Sequence, residues 1–380
     1  MSEAPSRART VFLGSGSFAL PVLTALASAP EVSVVGVVTA PPRPAGRGGT
    51  VRRSPVAERA DALGLGPVLE PPRLRARPAI DDVLALDPAL IVLADYGQIV
   101  PAALLDAPAH GALNLHPSLL PRHRGASPVP AAILAGDRQT GVTLMRMDER
   151  LDGGPIVAQV GVPLEGTETA PELEARLADE AARLLRATLA DWLSGRLRAR
   201  LQPEAGATMT KPLRREDGRL DPARAAADLT RRVRAYQPWP GTWAETIEGR
   251  LIVWRARPLT VAGPRAEPGH SGVRADAGTG VEWAASSIPS DRGEDARALA
   301  SAAGSVDGDA GPARRDAHAA DGEPLGRFVP DGDGLAILVA DGWLRLDEVQ
   351  LGGSRRMTSA ELRRGHPRLV GSRLGHPALP

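Results

Sequence analysis

Between residues 10 and 160 the chain alternates short unbroken apolar runs with stretches that read as helices. TVFLG (10–14), VSVVGVVT (32–39), ALIVLAD (89–95) and GALNLHP (111–117) are such runs, and VTLMRM (142–147) and PIVAQVGV (155–162) follow. A strand that is apolar on both of its alternating faces must be covered on both sides. The intervening helices supply the cover, so the pattern predicts a mainly parallel sheet in an α/β, Rossmann-like domain. FALPVLTALASA (18–29) reads as one helix and SPVAERADALG (54–64) as another, with Ser54 as N-cap and Pro55 at the first helical position. Thr169 and Glu172 form a capping box that opens a helix to about Ser194. Its apolar stripe is Leu173, Leu177, Leu184, Leu185, Leu189 and Trp192.

The chain has 380 residues, enough for two domains with separate cores. The sequence places the α/β domain at 1–195, a Pro/Gly/Arg-rich linker at 196–210 and a second domain at 211–380. In the second domain a helix (about 222–236) leads through a Trp/Pro corner to a hairpin. Alternation with Asp-Gly turns over 326–351 predicts further antiparallel strands, which close with the hairpin into a small OB-like β-barrel. Residues 264–321 are Ala, Gly, Asp, Ser, Arg and Pro with almost no large apolar side chains. Such a segment cannot bury enough surface to offset its chain entropy, and a disordered insertion is expected there.

Composition excludes several classes of function. With no cysteine there is no disulfide, thiolate zinc site or cysteine nucleophile. His110, His116 and His123 are too irregularly spaced for a chelate, and no metal is expected. The N-terminus lacks the apolar core of a signal peptide, and no apolar run approaches the roughly 20 residues of a membrane span, so a cytoplasmic protein is expected. Lys+Arg is 46 against 45 Asp+Glu, so any nucleic-acid surface must be local. Lys211 is the single lysine.

The run at 111–117 carries the chemistry. Side chains alternate, so Asn114 and His116 share one face and Leu113 and Leu115 the other. Pro117 cannot continue the ladder, which puts His116 at a strand's carboxyl end, where α/β sheets hold their sites. An amide and an imidazole there can both donate to a developing oxyanion, and the histidine can move protons near neutral pH. Alternatively the pair satisfies loop backbone groups. Asp152 lies in a glycine-rich turn before the run at 155–162. It either holds and charges the histidine or bonds its own turn. SLLPRHRGASP (118–128) is either a rigid loop whose main chain holds a flat heterocycle or an ordinary connection. Arg43, Arg47, Arg52 and Arg53 stand in a stretch with no acid and read as a phosphate-binding or merely solvated loop. Lys211, Arg214, Arg215, Arg231, Arg232 and Arg234 either extend that surface or form a solvated face. GSGSFA (14–19) fits a dinucleotide fingerprint, but no Asp or Glu lies between Val32 and Ala57 to take the ribose, which weakens an NAD(P)-dependent dehydrogenase.

NLHPSLLPRHRGASP (114–128) followed by LDGG (151–154) resembles the active-site signature of the 10-formyltetrahydrofolate-dependent formyltransferases. PPRPAGRG (41–48), ADYGQIVP (94–101) and RAYQPWPGTW (234–243) are similar to the branch of that family that acts on methionyl-tRNA. The likeness covers roughly 9–260 and 322–375. It implies formyl transfer from 10-formyltetrahydrofolate, as co-substrate, to the α-amino group of methionyl initiator tRNA in support of translation initiation. Carried onto this chain, Asn114 and His116 stabilise the oxyanion and Asp152 orients His116. The folate lies against Ser118, Leu119, Leu120 and Pro121, and Arg43, Arg47, Arg52, Arg53 and Lys211 meet the tRNA. The chain is expected to act as a monomer. It departs from the family at GSGSFA, at Asp95 (usually a small apolar residue), in the missing lysines after the Gly-Arg-Gly loop, and in the 264–321 insertion. Within the family the alternatives are formylation of another amine, such as a sugar nucleotide, or hydrolysis of the donor. Outside it, the alternative is a non-catalytic RNA-binding module.

Overall fold

The structure is a computed structural model that describes residues 7–45, 50–259 and 324–375. Strand β1 (Ala8–Gly14) leads through α1 (Ala19–Ala27) to β2 (Val32–Val38). A two-stranded ribbon, β3 (Arg43–Ala45) and β4 (Thr50–Arg52), stands out before α2 (Pro55–Ala62). There follow β5 (Val68–Leu69), α3 (Arg77–Leu84), β6 (Leu90–Ala94), α4 (Ala102–Asp106) and β7 (Ala112–His116). Next come β8 (Arg124–Gly125), α5 (Pro128–Ala135), β9 (Gln139–Arg146), β10 (Ile156–Pro163) and α6 (Ala170–Leu193). The main sheet runs β10-β9-β7-β6-β1-β2-β5. β7, β6, β1, β2 and β5 are parallel, whereas β9 and β10 run antiparallel at one edge. The expected mainly parallel sheet is therefore completed by a hairpin, whose turn carries Asp152.

Strand alternation decides what each face of the sheet does. Phe12, Val92, Leu113 and Leu115 pack with α1 and α6, where Leu173, Leu177, Leu185 and Leu189 are buried. Val11, Leu13, Ile91, Leu93 and Ala112 form the core on the other face. Asn114 and His116 share that second face by period 2, beyond the end of its apolar packing. Local capping follows the sequence: the Ser54 hydroxyl accepts from the Ala57 N–H at 3.0 Å, and the Thr169 N–H donates to the Glu172 carboxylate at 2.9 Å.

The stretch 196–210 is not a free tether. Arg200 exchanges two backbone hydrogen bonds with Ile156, at 2.7 and 2.8 Å, and β11 (Met209–Thr210) pairs in parallel with β8. The segment crosses the α/β domain as a strap before entering the second domain. There α7 (Ala226–Ala235), β12 (Thr242–Thr246) and β13 (Gly249–Leu259) precede β14 (Phe328–Asp331), β15 (Gly334–Val339) and β16 (Gly342–Leu351). β17 (Met357–Thr358) and α8 (Ser359–Gly365) end the order of longer elements. The sheet runs β12-β13-β16-β15-β14, with β17 on β16, and every pair is antiparallel. Its core is formed by Leu229, Val233, Leu251, Val253, Leu335, Ile337, Leu344 and Leu346. Among the described residues the two edges of this antiparallel sheet are joined through 371–375: Arg327, just before β14, pairs with Arg373, and the Gly375 N–H donates to the Glu245 carbonyl of β12 at 2.9 Å. The expected insertion at 264–321 lies outside the described residues.

The α7 arginines neither extend a basic surface nor form a solvated face. Arg231 donates to the Leu134 carbonyl at 3.1 Å, and Arg234 to the Glu168 carbonyl at 2.8 Å. Arg232 pairs with Asp228 at 3.2 Å. Arg231 and Arg234 join α7 to the α/β domain, while Lys211, Arg214 and Arg215 remain exposed. No helix among the described residues is long and apolar enough to cross a membrane.

Candidate active site

Asn114 and His116 are 6% and 5% exposed at the end of β7. The His116 Nε2 lies 2.9 Å from the His123 carbonyl. A carbonyl only accepts, so Nε2 carries a hydrogen and Nδ1 is the nitrogen left for chemistry. Nδ1 is 3.7 Å from the Asp152 Oδ2. That same oxygen accepts the Gly125 N–H at 2.7 Å, and the Asn114 amide approaches Oδ1 at 3.5 Å. The three expected residues thus converge, with one correction. Asp152 does not orient the imidazole by a hydrogen bond. The loop after β7 curls back so that its own carbonyl holds the ring, and Asp152 faces the free nitrogen as a neighbouring charge. Asp152 sits at φ 47, a left-handed conformation that Asp tolerates better than most residues.

The loop's curl also sets where Ser118, Leu119, Leu120 and Pro121, the residues expected against the folate, lie. Ser118 is buried, with its hydroxyl donating to the Arg122 carbonyl at 2.7 Å. The Thr143 hydroxyl donates to the Ser118 carbonyl at 2.7 Å and accepts the Leu120 N–H at 3.0 Å. Leu120 is buried with Met145 and Ile156, and Leu119 packs over Gly141. None of Ser118, Leu119, Leu120 and Pro121 lines the cleft beside His116. They build the hairpin that places the His123 carbonyl.

That cleft has a volume of about 370 Å³, inside the usual range for a small-molecule site. Phe18, Leu93 and Tyr96 add apolar lining to it beside Asn114, His116 and Asp152. The Tyr96 hydroxyl is buried with no hydrogen-bond partner among the described residues, and burial pushes its pKa up to about 12. A buried hydroxyl of this kind is costly unless something bonds it. A larger hollow, about 880 Å³, lies between α1 and α6, but none of the three convergent polar residues lines it.

Asp95 also lines the cleft. Its side chain is open to solvent at the mouth, yet recessed enough that burial raises its pKa to about 6, with the Glu174 carboxylate adding to the rise. A Cβ at Gly16 would meet the Asp95 Oδ2 at 1.8 Å, so this carboxylate occupies the space over the first turn. A dinucleotide diphosphate would have to lie there. Beyond β2, moreover, the Thr39 and Ser54 hydroxyls bond each other at 2.6 Å where a ribose-binding carboxylate is required. Both features oppose the dehydrogenase reading. A raised carboxyl pKa means that the folded state holds a proton which the unfolded chain has released between about pH 4 and 6. Any stability from this group is therefore present below the unfolded value and lost as pH rises through about 6. Asp95→Asn is expected to raise Tm at pH 7.5, with the gain shrinking toward zero at pH 4. Thermal melts across that range check it; a gain that grows on acidification contradicts it.

On the ribbon, Arg43 and Arg52 are exposed and directly opposite each other. Beside them Val51 is 64% exposed. Arg53, expected with them, is instead tied to Asp61 and, at 3.0 Å, to Glu70. Arg47 lies outside the described residues. Gln202, Thr208 and Thr210 went unread in the sequence, although all three bond the loop after β7 or the Asp152 turn. Thr208 and Thr210, two residues apart in an irregular stretch, were the only available signal.

The profile of the family described as formyl transferase matches residues 8–189, and that of its C-terminal domain matches residues 212–285. A methionyl-tRNA formyltransferase of Roseiflexus castenholzii is 37% identical over 97% of this chain and 99% of its own. One of Halorhodospira halophila is 45% identical over 72% of this chain and 89% of its own. Among solved structures, HypX from Aquifex aeolicus in complex with tetrahydrofolic acid superposes with a TM-score of 0.54 at 15% identity. The match covers 96% of this chain and 48% of HypX, and at that identity it speaks to the fold alone.

Proposed function

The chain belongs to the methionyl-tRNA formyltransferase family, and we propose from this membership and the site's geometry that it moves the formyl group of 10-formyltetrahydrofolate to the α-amino group of methionyl initiator tRNA. The observation that carries the mechanism is the meeting of Asn114, His116 and Asp152 at one wall of a partly apolar cleft. The Asn114 amide donates to the formyl oxygen as it takes on negative charge. Neutral His116 offers Nδ1 to the attacking amine's proton, and the imidazolium that results is held by the Asp152 charge. The amine nitrogen bonds to the formyl carbon and the bond from that carbon to the folate nitrogen breaks. The proton passes from the amine through His116 to that nitrogen. The unpartnered Tyr96 hydroxyl and the wall formed by Phe18 and Leu93 support a flat polar ring as the cleft's occupant. In this reading residues 1–195 carry the chemistry and 211–380 help to hold the tRNA. The 118–121 hairpin supports the folate site from behind.

The ribbon supports a polyanionic substrate. Like charges directly opposite in a two-stranded ribbon repel, and neither Arg43 nor Arg52 has a carboxylate partner among the described residues. A phosphate backbone laid across them removes that repulsion. Lys211 follows directly on β11, which pairs with the loop after His116, and its exposed charge beside that loop supports a contact with the tRNA's acceptor end. The wild-type protein incubated with 10-formyltetrahydrofolate and methionyl-tRNA is expected to form formyl-methionyl-tRNA, with a KM for tRNA that rises steeply with salt. Each lost phosphate contact flattens a log–log salt plot by nearly one unit, so Arg43→Ala with Arg52→Ala should lower the slope by about 2 and leave the folate KM alone. No transfer by the wild type defeats the whole reading; an unchanged slope defeats only the ribbon's part in it.

A further inference from the structure

The strap at 196–210 reaches further into the site than a connection needs to. Gln202 is buried, and its Nε2 donates to the Asp152 carbonyl at 2.8 Å and to the Gly154 carbonyl at 2.7 Å. Its Oε1 accepts from the Arg124 Nε at 3.0 Å. One amide therefore spans the two segments that must meet for catalysis: the turn bearing Asp152, and the loop whose Gly125 N–H bonds the Asp152 carboxylate. All of its main hydrogen-bonding capacity goes to this task. Farther along the strap, the Thr208 hydroxyl accepts the His123 N–H at 2.8 Å, one peptide from the carbonyl that holds the His116 ring. The Thr210 hydroxyl donates to the Arg124 carbonyl at 3.1 Å and accepts the Ser127 N–H at 3.0 Å. The strap presses so closely that a Cβ at Gly125, which sits at φ +105, would come within 2.4 Å of the Thr210 carbonyl.

We infer that Gln202 is a positioning residue for formyl transfer: it locks the Asp152 turn onto the loop after His116 and so fixes the distance from the carboxylate to His116 Nδ1. This rests on the function proposed above. Asp152 acts across 3.7 Å without a hydrogen bond to the ring, so nothing in that contact itself sets the separation. The geometry is imposed from behind, by the two carbonyls that Gln202 grips and by the Gly125 N–H. The strap leads directly into the second domain, so the element that holds the catalytic carboxylate is also the element that joins the two domains.

Gln202→Met keeps the volume and removes all three hydrogen bonds. It should lower kcat by about 10- to 100-fold, the cost of misplacing a catalytic group by a fraction of an ångström to an ångström, with both KM values within about threefold. The decisive readout is a cycle with Asp152→Asn. If Gln202 acts through the carboxylate, the kcat loss from Gln202→Met largely disappears in the Asp152→Asn background. A full additional loss in that background, a change in KM alone, or a wild-type kcat overturns the inference. If Gln202→Met does not fold, as judged by its melt, Gln202→Glu takes its place. Its carboxylate keeps Arg124 but turns acceptors toward both carbonyls, and the same kcat loss and the same disappearance are expected. A Gln202→Glu enzyme with wild-type kcat overturns the inference equally. Failure of the wild type to formylate methionyl-tRNA would instead remove the function on which the inference rests.

Discussion

His116→Ala is expected to reduce kcat about 1000-fold while KM for both substrates stays within about threefold, because in the proposed reaction the imidazole alone carries the proton from the amine to the folate nitrogen. Asn114→Ala removes a donor only, and should cost nearer 100-fold, the lower end for a single oxyanion contact. The two side chains are almost equally buried on one strand, so a difference between the variants reports their chemistry rather than their location. Folding is a smaller effect. Losing the ring leaves the His123 carbonyl without its 2.9 Å partner, a change worth about 1–3 kcal/mol of stability if no water replaces it. Single-turnover formylation with excess enzyme separates the chemical step from binding, and a melt run alongside separates it from unfolding. Equal and small losses in the two variants, or a change confined to KM, would remove His116 from the proton's path.

The site's legibility in the sequence follows the range of the forces that make it. Asn114 and His116 were readable because strand alternation and Pro117 are local, and together they fix face and strand end. Asp152 was readable as a turn residue near the site, but its distance from the ring was not. That distance depends on a carbonyl seven residues beyond His116 and on an amide fifty residues beyond Asp152. Arg53 looked as free as Arg43 and Arg52 until Asp61 and Glu70, on separate elements, proved to neutralise it. The strap was invisible for a related reason. Its work is done by one amide and two hydroxyls in a stretch without apolar periodicity, and hydrophobic patterning cannot register polar contacts to distant backbone. The antiparallel edge of the sheet was missed similarly, since the runs at 142–147 and 155–162 are apolar in either direction.

Asp152→Asn isolates the second large effect, the carboxylate's charge. At about 4 Å two unit charges interact by about 4 kcal/mol when the effective dielectric is near 20, the equivalent of roughly 1000-fold in rate. The Asp152 side chain is 13% exposed, so solvent screens part of this, and a loss of about 100-fold in kcat is expected. The amide keeps an oxygen for the Gly125 N–H, whose 2.7 Å bond is the carboxylate's shortest contact, so the turn should stay in place and Tm should scarcely move. Asp152→Ala differs in that respect. It leaves the Gly125 N–H unpaired in a partly buried site, at a cost of about 1–3 kcal/mol in stability on top of the lost charge. The pair of variants therefore separates two roles that share one oxygen atom. If the charge governs the rate, Asn and Ala lose similar amounts of kcat and only Ala melts early. If instead Asp152 serves mainly to pin the loop, Asn retains most of the activity and Ala loses both activity and stability. The 3.7 Å separation from His116, too long for a hydrogen bond and short for a charge, favours the first outcome.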